Sequence, residues 1–324
     1  MTKVLVTGAA GFLGFHLAML FASRSDFEVV CVDNFIRGEQ DQYLRDLSER
    51  SNVTFIEMDL NDLASVETLP KVDFVYHLAA LNGTQNFYER PLDVLRCCTL
   101  PTLYLADYYG RLGGVRRFIY AGTSESYAST VTRFNWPVPT AEDVPLCIDD
   151  VTNPRWSYAM SKMHGEVVVA QAGRAYKMPY SVVRFHNAYG PRMGDRHVIP
   201  DFYMRAKEGR FELFGYEDTR AFLYASDAVR GTALIGESLE CENQIVNLGG
   251  DQEITMLDLA KRMMAVRGME GDIVCHPSPA GSVKRRLPDL TKLRRLTDFK
   301  PQISLEEGLR RTAEFYLNGQ FIED

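Results

Sequence analysis

A glycine-rich turn close to the N-terminus constrains the fold of this chain more than any other feature. A short apolar run at residues 4–6 leads into Thr7-Gly8-Ala9-Ala10-Gly11-Phe12-Leu13-Gly14, and a segment of helical character follows. Glycines at this spacing let the backbone turn sharply, approach a diphosphate closely and pack the new helix against a sheet. Lys3 and the apolar residues after it would also suit a signal peptide, but the glycines fit a strand, a turn and a helix better. The turn therefore predicts a dinucleotide-binding unit.

Short apolar runs alternate with helix-length segments after this turn. The runs are rich in β-branched and aromatic residues and occupy positions 4–6, 29–32, 53–58, 74–77, 118–121 and 180–185. Such alternation predicts an α/β fold, a Rossmann-type doubly wound parallel sheet with helices on both faces. Beyond Asn187, loops rich in glycine, proline and aromatic residues replace this rhythm. We therefore predict a dinucleotide-binding Rossmann domain at 1–186, which takes back a strand near 245–248, and a smaller C-terminal α/β substrate lobe at 187–324.

The charge and the cysteine pattern exclude several functional classes. The 324 residues include 36 Lys and Arg against 43 Asp and Glu, a net charge of −7, so no global basic field attracts nucleic acid or anionic lipid. No apolar run approaches the ~20 residues that a bilayer crossing requires. The six cysteines and six histidines show neither CxxC nor HxxxH spacing, which argues against a metal site. We expect a protein of the reducing cytoplasm with no metal, nucleic acid or membrane partner.

An acidic residue at the end of the second apolar run indicates which dinucleotide is bound. Asp33 could accept hydrogen bonds from the adenosine ribose hydroxyls, and its charge would repel a 2′-phosphate. We therefore predict NAD rather than NADP as the cofactor. Arg37 would instead favour NADP, and we interpret it as an ordinary loop charge.

Two further strand ends carry residues suited to the same ligand. Asp59 follows the third run and could reach the adenine edge, and His77-Leu78-Ala79-Ala80 ends the fourth run with small residues that let a cofactor approach. Ligands of open α/β sheets bind at the carboxyl ends of the strands. The predicted cofactor contacts from these segments are Gly8, Gly11, Phe12, Leu13, Gly14, Asp33, Asp59, Leu60, Leu78, Ala79 and Ala80.

A tyrosine and a lysine in Tyr158-Ala159-Met160-Ser161-Lys162 lie one helical turn apart and therefore on one helix face. A nearby ammonium and a nicotinamide cation favour the phenolate, so we predict Tyr158 as an acid–base group with Lys162 beside it, both touching the cofactor. The helix predicted from Tyr158 to Tyr176 is apolar nearly all round, which is typical of burial on two sides. One side would contact the sheet and the other a partner subunit or the second lobe, and we expect a homodimer.

Thr123-Ser124-Glu125 follows the fifth apolar run, where a hydroxyl could share a substrate oxygen with Tyr158. In an extended stretch, Thr123 and Glu125 would face one side and Ser124 the other. A covered pocket would raise the pKa of Glu125, which suits a base that removes a proton from carbon. A solvated loop carboxylate is the alternative interpretation of Glu125.

Together, TGxxGxxG, Asp33, the HLAA run, the Thr-Ser pair and YxxxK resemble the extended short-chain dehydrogenase/reductase family, specifically its nucleotide-sugar epimerases, dehydratases and decarboxylases. The resemblance covers nearly the whole chain. It implies oxidation of a nucleotide-diphosphate sugar at C4 by NAD, with Tyr158 removing the 4-hydroxyl proton and Thr123 hydrogen-bonded to that oxygen.

Three later segments extend the resemblance to the substrate. The stretch from Arg184 to Arg192 resembles RxxNxYGPR, and the stretches beginning at Arg220 and Arg286 resemble motifs whose arginines neutralise the diphosphate. The substrate contacts that the resemblance implies are Ser124, Asn187, Arg192, Arg220 and Arg286. Cys98 and Pro101 depart from the family pattern of Asn and Gly, which implies an altered hydrogen-bond network under the nicotinamide.

The step after C4 oxidation depends on Glu125. Thr-Ser-Glu resembles GDP-mannose dehydratases and UDP-glucuronate decarboxylases. Asn153-Pro154-Arg155-Trp156-Ser157-Tyr158 is similar to the run in a decarboxylase of lipid A modification, in which the arginine matching Arg286 takes part at the carboxylate. We therefore favour decarboxylation or dehydration of the 4-keto sugar, using Glu125, over 4-epimerisation with hydride return to the opposite face. A non-catalytic dinucleotide sensor usually lacks the Tyr or Lys, and Asp33 disfavours an NADPH-dependent carbonyl reductase.

Overall fold

The computed structural model of the chain describes residues 1–194, 197–278 and 283–322. Its strands are β1 (Thr2–Thr7), β2 (Phe27–Asp33), β3 (Val53–Glu57), β4 (Phe74–His77), β5 (Arg117–Thr123), β6 (Tyr180–His186), β7 (Ala188–Tyr189), β8 (Glu212–Phe214), β9 (Thr219–Ala221), β10 (Leu223–Tyr224), β11 (Gln244–Gly249), β12 (Glu253–Thr255), β13 (Val274–His276) and β14 (Arg285–Arg286). Seven of them form a parallel sheet of order β11-β6-β5-β4-β1-β2-β3. This order confirms the predicted doubly wound α/β architecture.

Helices cover both faces of this sheet. They are α1 (Phe12–Ala22), α2 (Gln42–Ser48), α3 (Leu63–Val66), α4 (Thr84–Glu89), α5 (Pro91–Leu112), α6 (Ala128–Phe134), α7 (Trp156–Tyr176), α8 (Val198–Lys207), α9 (Ala225–Glu237), α10 (Met256–Arg267), α11 (Thr291–Leu296) and α12 (Leu305–Asn318). Phe15 of α1 and Val229 of α9 belong to the apolar core on one face, and Leu105 of α5 and Val169 of α7 to the core on the other. Among the helices of the described ranges, none combines the length and the apolarity that a membrane crossing needs.

The parallel register brings the carboxyl ends of several strands to one edge of the sheet. Thr7 at the end of β1 is aligned with His77 at the end of β4, and Thr123 of β5 is aligned with Phe185 of β6. β11 lies beside β6 and contains the stretch near 245–248 in which a returning strand is expected. Loops that follow these strand ends therefore line a common cleft.

A smaller lobe packs beside this cleft. Phe202 of α8, Leu259 of α10 and Leu309 of α12 share a separate apolar core. β9 pairs with β12 in antiparallel orientation and with β14 in parallel orientation. The pairing with β14 places Arg286 opposite Arg220. Two arginines that are far apart in the chain thus lie on neighbouring strands.

The long helix α7 packs against the sheet on one side and lies next to α5. The outer face of α7 is accessible and includes apolar side chains: Val167 is 59% exposed and Met160 is 38% exposed. On the neighbouring helix α5, Leu103 is 45% exposed. The second lobe therefore does not cover this face, which removes one of the two partners that the sequence suggested for it.

Candidate active site

A cavity of about 770 Å³ opens at the carboxyl ends of the sheet strands. Of the predicted site residues, all except Arg220 line it. They are Gly8, Gly11, Phe12, Leu13, Gly14, Asp33, Asp59, Leu60, Leu78, Ala79, Ala80, Thr123, Ser124, Glu125, Tyr158, Lys162, Asn187, Arg192 and Arg286. The fold thus brings residues from both parts of the chain to one cavity.

The glycine-rich turn forms a tight cradle at one end of this cavity. Gly8 has a φ of +73°, and a Cβ on Gly14 would lie 1.9 Å from the Gly8 carbonyl oxygen, so neither position tolerates a side chain. Gly11 is the N-cap residue of α1, and it has no side chain that could cap the helix. The first amide groups of the helix are therefore available to a ligand. Amides at a helix N-terminus bind phosphate groups, so these residues fit the diphosphate of NAD.

Two carboxylates lie at the predicted adenosine end. Asp33 accepts hydrogen bonds from the backbone amides of Ala10 and Phe35, each at 2.9 Å, which fixes its side chain beside the glycine-rich turn. Asp59 accepts hydrogen bonds from the amide and the side chain of Asn61. Each carboxylate oxygen has a second lone pair, so both residues can still accept a hydrogen bond from a ligand.

Tyr158 and Lys162 lie on the same turn of α7, at the other end of the cavity. The Nζ of Lys162 donates a hydrogen bond to the Ala121 carbonyl oxygen at 2.9 Å and lies 5.9 Å from the centre of the Tyr158 ring. The phenol ring is stacked on Phe87 with 5.0 Å between ring centres. Thr123 lies close enough to hydrogen-bond the phenol.

The sequence predicts that an ammonium and a nicotinamide cation together favour the phenolate of Tyr158, whereas in the protein without cofactor the pKa of this phenol is raised. Burial raises the pKa of Tyr158 above its ordinary value, because an apolar wall disfavours the phenolate. Cys98 and Glu125 raise it further, whereas Arg37 and Thr123 lower it. Lys162 donates its hydrogen bond to a backbone carbonyl, and Arg37 is a cation that opposes the increase in the pKa of Tyr158.

The predicted alternation of Thr123, Ser124 and Glu125 is wrong. Thr123 ends β5 in an extended conformation, but Ser124 begins a 3₁₀ turn that runs to Tyr127. The Glu125 amide donates a hydrogen bond to the Thr123 hydroxyl at 3.2 Å, which closes the start of this turn. In this arrangement Thr123, Ser124 and Glu125 all line the cavity.

Glu125 is held by two arginines. Nη1 of Arg286 lies 2.8 Å from one carboxylate oxygen, and Nη2 of Arg155 lies 3.5 Å from the other. Burial alone would raise the pKa of Glu125, but Arg286 and Arg155, with Arg220 behind them, outweigh burial and lower it. The expectation of a raised pKa is therefore wrong, because the covered pocket contains guanidiniums that stabilise the carboxylate, and Glu125 is not a solvated loop carboxylate either.

The other predicted substrate residues have different surroundings. Arg220 donates hydrogen bonds to the carbonyl oxygens of Thr219 and Lys284, and burial lowers its pKa to about 10. Asn187 donates from its side chain to the carbonyl oxygen of Ala221 at 3.0 Å. Arg192 pairs with Asp41 and donates to the carbonyl oxygen of Ala10 at 3.0 Å. Its guanidinium thus lies at the glycine-rich turn.

Arg155 and Arg37 line or contact the site although the sequence did not single them out as site residues. Arg155 directly precedes α7, the helix that carries Tyr158. This position could have indicated that Arg155 lies near the site. Arg37 lines the cavity and is not an ordinary loop charge. Cys98, one of the departures from the family pattern, is buried with Leu81 and Phe87 beside Tyr158, and burial raises the pKa of its thiol.

Comparisons with known proteins agree with this geometry. A family model described as "NAD dependent epimerase/dehydratase family" matches residues 4–249. The UDP-N-acetyl-alpha-D-glucosaminuronate decarboxylase of Bacillus cytotoxicus is 32% identical over 97% of this chain and 97% of its own length. A crystal structure of UDP-glucuronic acid 4-epimerase from Bacillus cereus in complex with UDP-glucuronic acid and NAD has a TM-score of 0.87 and 25% identity, covering 98% of this chain and 100% of that one. UDP-glucose 4-epimerase from Thermotoga maritima, with UDP-glucose, has a TM-score of 0.86 and 28% identity, covering 98% and 99%.

Proposed function

Because this chain belongs to the NAD-dependent epimerase/dehydratase family, we propose that it oxidises a nucleotide-diphosphate uronic acid at C4 and then decarboxylates it. The observation that carries this proposal is the group of three arginines at Glu125: Arg286 and Arg155 pair with its carboxylate, and Arg220 lies beside them. Asp218, 3.9 Å from Arg220, is the second carboxylate of the group. Three guanidiniums against two carboxylates favour a further anion, and the C6 carboxylate of a uronic acid supplies one.

The side chains at this site are suited to bind that carboxylate. Nε of Arg155 is buried and has no hydrogen-bond partner within the described ranges. A buried donor without a partner is unfavourable, so a ligand oxygen at this position would be stabilised. The decarboxylase of Bacillus cytotoxicus carries a uronic acid in its name, which supports the same substrate class.

The chemistry divides between the two ends of the cavity. NAD, when bound, accepts the hydride from C4 of the sugar and later returns it. Tyr158 takes the 4-hydroxyl proton, and Thr123 donates a hydrogen bond to the resulting ketone oxygen. That ketone is β to the C6 carboxylate, so the C5–C6 bond breaks, its electron pair moves toward the ketone oxygen and carbon dioxide leaves. C5 then takes a proton, which replaces the lost carboxylate.

The pKa of Glu125 favours decarboxylation over dehydration. Elimination of water across C5 and C6 needs a base for the C5 proton, and a carboxylate with a lowered pKa is a weaker base. Loss of carbon dioxide needs no base at C5. In this proposal, Glu125 orients Arg155 and Arg286 for the substrate carboxylate instead of removing a proton from carbon.

4-Epimerisation is the second candidate. The similarity to solved 4-epimerases, one of them in complex with UDP-glucuronic acid and NAD, favours it. In that reaction the arginines would bind the same C6 carboxylate, and the hydride would return to the opposite face of the ketone.

Incubation with a panel of nucleotide sugars separates these reactions. The panel contains UDP-glucuronic acid, UDP-N-acetylglucosaminuronic acid, UDP-glucose and GDP-mannose, and the products are analysed by mass spectrometry and NMR. We expect a uronic acid to lose the mass of carbon dioxide. Loss of water instead, or a product of unchanged mass with an inverted C4, would contradict decarboxylation and identify dehydration or 4-epimerisation.

We also propose that the chain forms a homodimer through the outer faces of α5 and α7, where Leu103 and Val167 are exposed. Exposed apolar side chains on two adjacent helices fit a second copy of the same surface about a twofold axis. Val167→Asp would place a charge in this interface, and we expect it to convert a dimer to a monomer in size-exclusion chromatography with light scattering. Leu239→Asp, at an 80% exposed position outside both helices, is the matched control and should leave the mass unchanged. A monomeric mass for the unaltered protein would contradict the proposal.

A further inference from the structure

A network of buried hydrogen bonds starts two residues after Glu125. Tyr127 ends the 3₁₀ turn that contains Glu125, is 3% exposed and does not line the large cavity. The Tyr127 hydroxyl donates a hydrogen bond to Oδ1 of Asn247 at 2.5 Å and accepts one from Nη1 of Arg184 at 2.9 Å. Burial raises the pKa of Tyr127, so the phenol keeps the proton that it donates. The turn of Glu125 is therefore fastened to β11 and β6.

Asn247 joins this turn to the segment that carries Arg286. Asn247 is fully buried on β11, and its Nδ2 donates hydrogen bonds to the carbonyl oxygens of Thr140 and Asp289, at 3.0 and 3.2 Å. The Thr140 amide donates to the carbonyl oxygen of Leu287, and the Thr140 carbonyl oxygen accepts from the Asp289 amide, each at 2.9 Å. Because Arg286 directly precedes Leu287, these bonds hold the backbone next to Arg286.

Arg184 joins the same turn to the helix of Tyr158. Nε and Nη2 of Arg184 donate to the two carboxylate oxygens of Glu166 on α7, at 2.9 and 2.7 Å. Both side chains are buried, and a pair with two parallel hydrogen bonds fixes orientation as well as distance. Glu166 lies about two helical turns beyond Tyr158. The network therefore connects three parts of the site: the helix of Tyr158, the turn of Glu125 and the strand of Arg286.

We propose that Tyr127 and Asn247 are positioning residues, whose hydrogen bond holds the turn and the strand that together bind the C6 carboxylate of the substrate. The carboxylate is that of the proposed function, on which this role rests. Glu125 and Arg286 form an ion pair at 2.8 Å, but they come from segments far apart in the chain. Asn247 contacts both segments, and without its bond to Tyr127 each segment can shift separately. A displacement of about 1 Å can cost about 10²-fold in rate.

The test compares Tyr127→Phe, which keeps the buried ring and removes the hydroxyl, with the unaltered protein. We expect kcat on the substrate found in the nucleotide-sugar panel to fall about tenfold to a hundredfold. The affinities for NAD and UDP, measured by calorimetry, should stay nearly unchanged, because neither molecule carries the C6 carboxylate. The ratio of the affinities for UDP-glucuronic acid and UDP-glucose should fall, since the carboxylate is the group that distinguishes them.

A pH profile separates positioning from a general loss of structure. Arg286 and Arg155 lower the pKa of Glu125, so in the unaltered protein this carboxylate stays charged to a lower pH than an ordinary one. Looser pairing leaves burial to dominate and raises that pKa. Because the charged form holds the arginines, kcat/KM should begin to fall at a higher pH in Tyr127→Phe than in the unaltered protein as the pH decreases.

A second variant tests the other end of the same bond. Asn247→Ser shortens the side chain, so it breaks the bonds to Tyr127 and to the carbonyl oxygens of Thr140 and Asp289 without burying a charge. We expect the same changes in kcat, affinity ratio and pH profile. The double variant should be little worse than Asn247→Ser alone, because both substitutions break one shared link. Additive losses in the double variant would contradict a shared role.

Tyr109→Phe is the matched control, since Tyr109 is also a buried tyrosine and its hydroxyl donates to the carbonyl oxygen of Pro70 at 3.0 Å, away from the cavity. It should leave kcat, the affinity ratio and the pH profile unchanged. Unchanged kcat and pH profile in Tyr127→Phe would overturn the proposal. Equal losses in Tyr109→Phe, or a parallel loss of NAD affinity in Tyr127→Phe, would assign the effect to general loosening of the fold and would also overturn it.

Failure of the proposed function gives a different result. It shows in the unaltered protein, as equal affinity for UDP-glucuronic acid and UDP-glucose, and it would overturn the C6 carboxylate as the group that is positioned. Failure of the positioning role shows only in the difference between the variants and the unaltered protein, in kcat and pH profile on whichever sugar of the panel reacts.

Discussion

Tyr158→Phe is expected to lower kcat by about 10²–10⁴-fold while the affinities for NAD and UDP stay nearly unchanged. The substitution removes the hydroxyl that exchanges a proton with the sugar, but it keeps the ring that stacks on Phe87. Steady-state turnover of the substrate found in the nucleotide-sugar panel gives kcat, and calorimetry gives the affinities. Tyr108→Phe, which removes a phenol that donates to the carbonyl oxygen of Leu69 outside the cavity, should retain full activity.

The pH dependence gives a second check on Tyr158. Burial raises the pKa of this phenol, so little phenolate is present at neutral pH in the protein without cofactor. Because the phenolate is the form that accepts the 4-hydroxyl proton, kcat/KM should increase as the pH rises above neutral. The remaining activity of Tyr158→Phe should lack this increase. Normal turnover in that variant, or an unchanged pH profile, would refute the assignment.

Glu125→Gln is expected to uncouple the two halves of the reaction. The amide keeps the size of the side chain but removes the charge that holds Arg155 and Arg286, and a displacement of about 1 Å can cost about 10²-fold in rate. Oxidation at C4 should continue, because Tyr158 and Thr123 are unchanged, whereas release of carbon dioxide should slow. NADH absorbance should therefore accumulate after substrate is added, and carbon dioxide release is measured in parallel.

Glu253→Gln is the matched control for this prediction. Like Glu125, Glu253 is a carboxylate paired with arginine: it accepts two hydrogen bonds from Arg285, at 2.7 and 2.8 Å. Neither Glu253 nor Arg285 lines the large cavity. Its substitution should leave both steps intact. In D₂O, decarboxylation should place deuterium on C5, whereas hydride return in a 4-epimerase should place none on carbon. A Glu125→Gln enzyme that inverts C4 at the normal rate without this label would contradict decarboxylation.

Local sterics and hydrophobic periodicity allow the cofactor-binding part of the site and Tyr158 to be predicted from the sequence. The turn from Gly8 to Gly14 tolerates no side chain at its closest contacts, so its glycines indicate the cradle directly. The alternation of apolar runs and helical segments indicates a parallel sheet, and a parallel sheet brings its strand ends together. Asp33, Asp59 and Tyr158 could therefore be assigned to one cavity without coordinates. The family assignment agrees with the match over residues 4–249.

The electrostatics around Glu125 depend on contacts between segments that are distant in the sequence. Glu125, Arg155 and Arg286 meet because a 3₁₀ turn, the start of α7 and the pairing of β14 with β9 converge at one point. No local pattern encodes that convergence, so the sign of the pKa shift of Glu125 was predicted wrongly. The burial that raises the pKa of Tyr158 in the protein without cofactor is likewise visible only in the packed structure.

The sequence by itself determined the Rossmann architecture, the cofactor class and the tyrosine–lysine pair, because each of these follows from the backbone geometry of a short segment. The tertiary structure decided how charge is distributed around them. It placed Arg192 at the glycine-rich turn, Arg155 at Glu125 and Arg37 inside the cavity. The physical reason is that a pKa or a binding charge depends on burial and on every charged group nearby, and in a folded chain those groups come from all along the sequence.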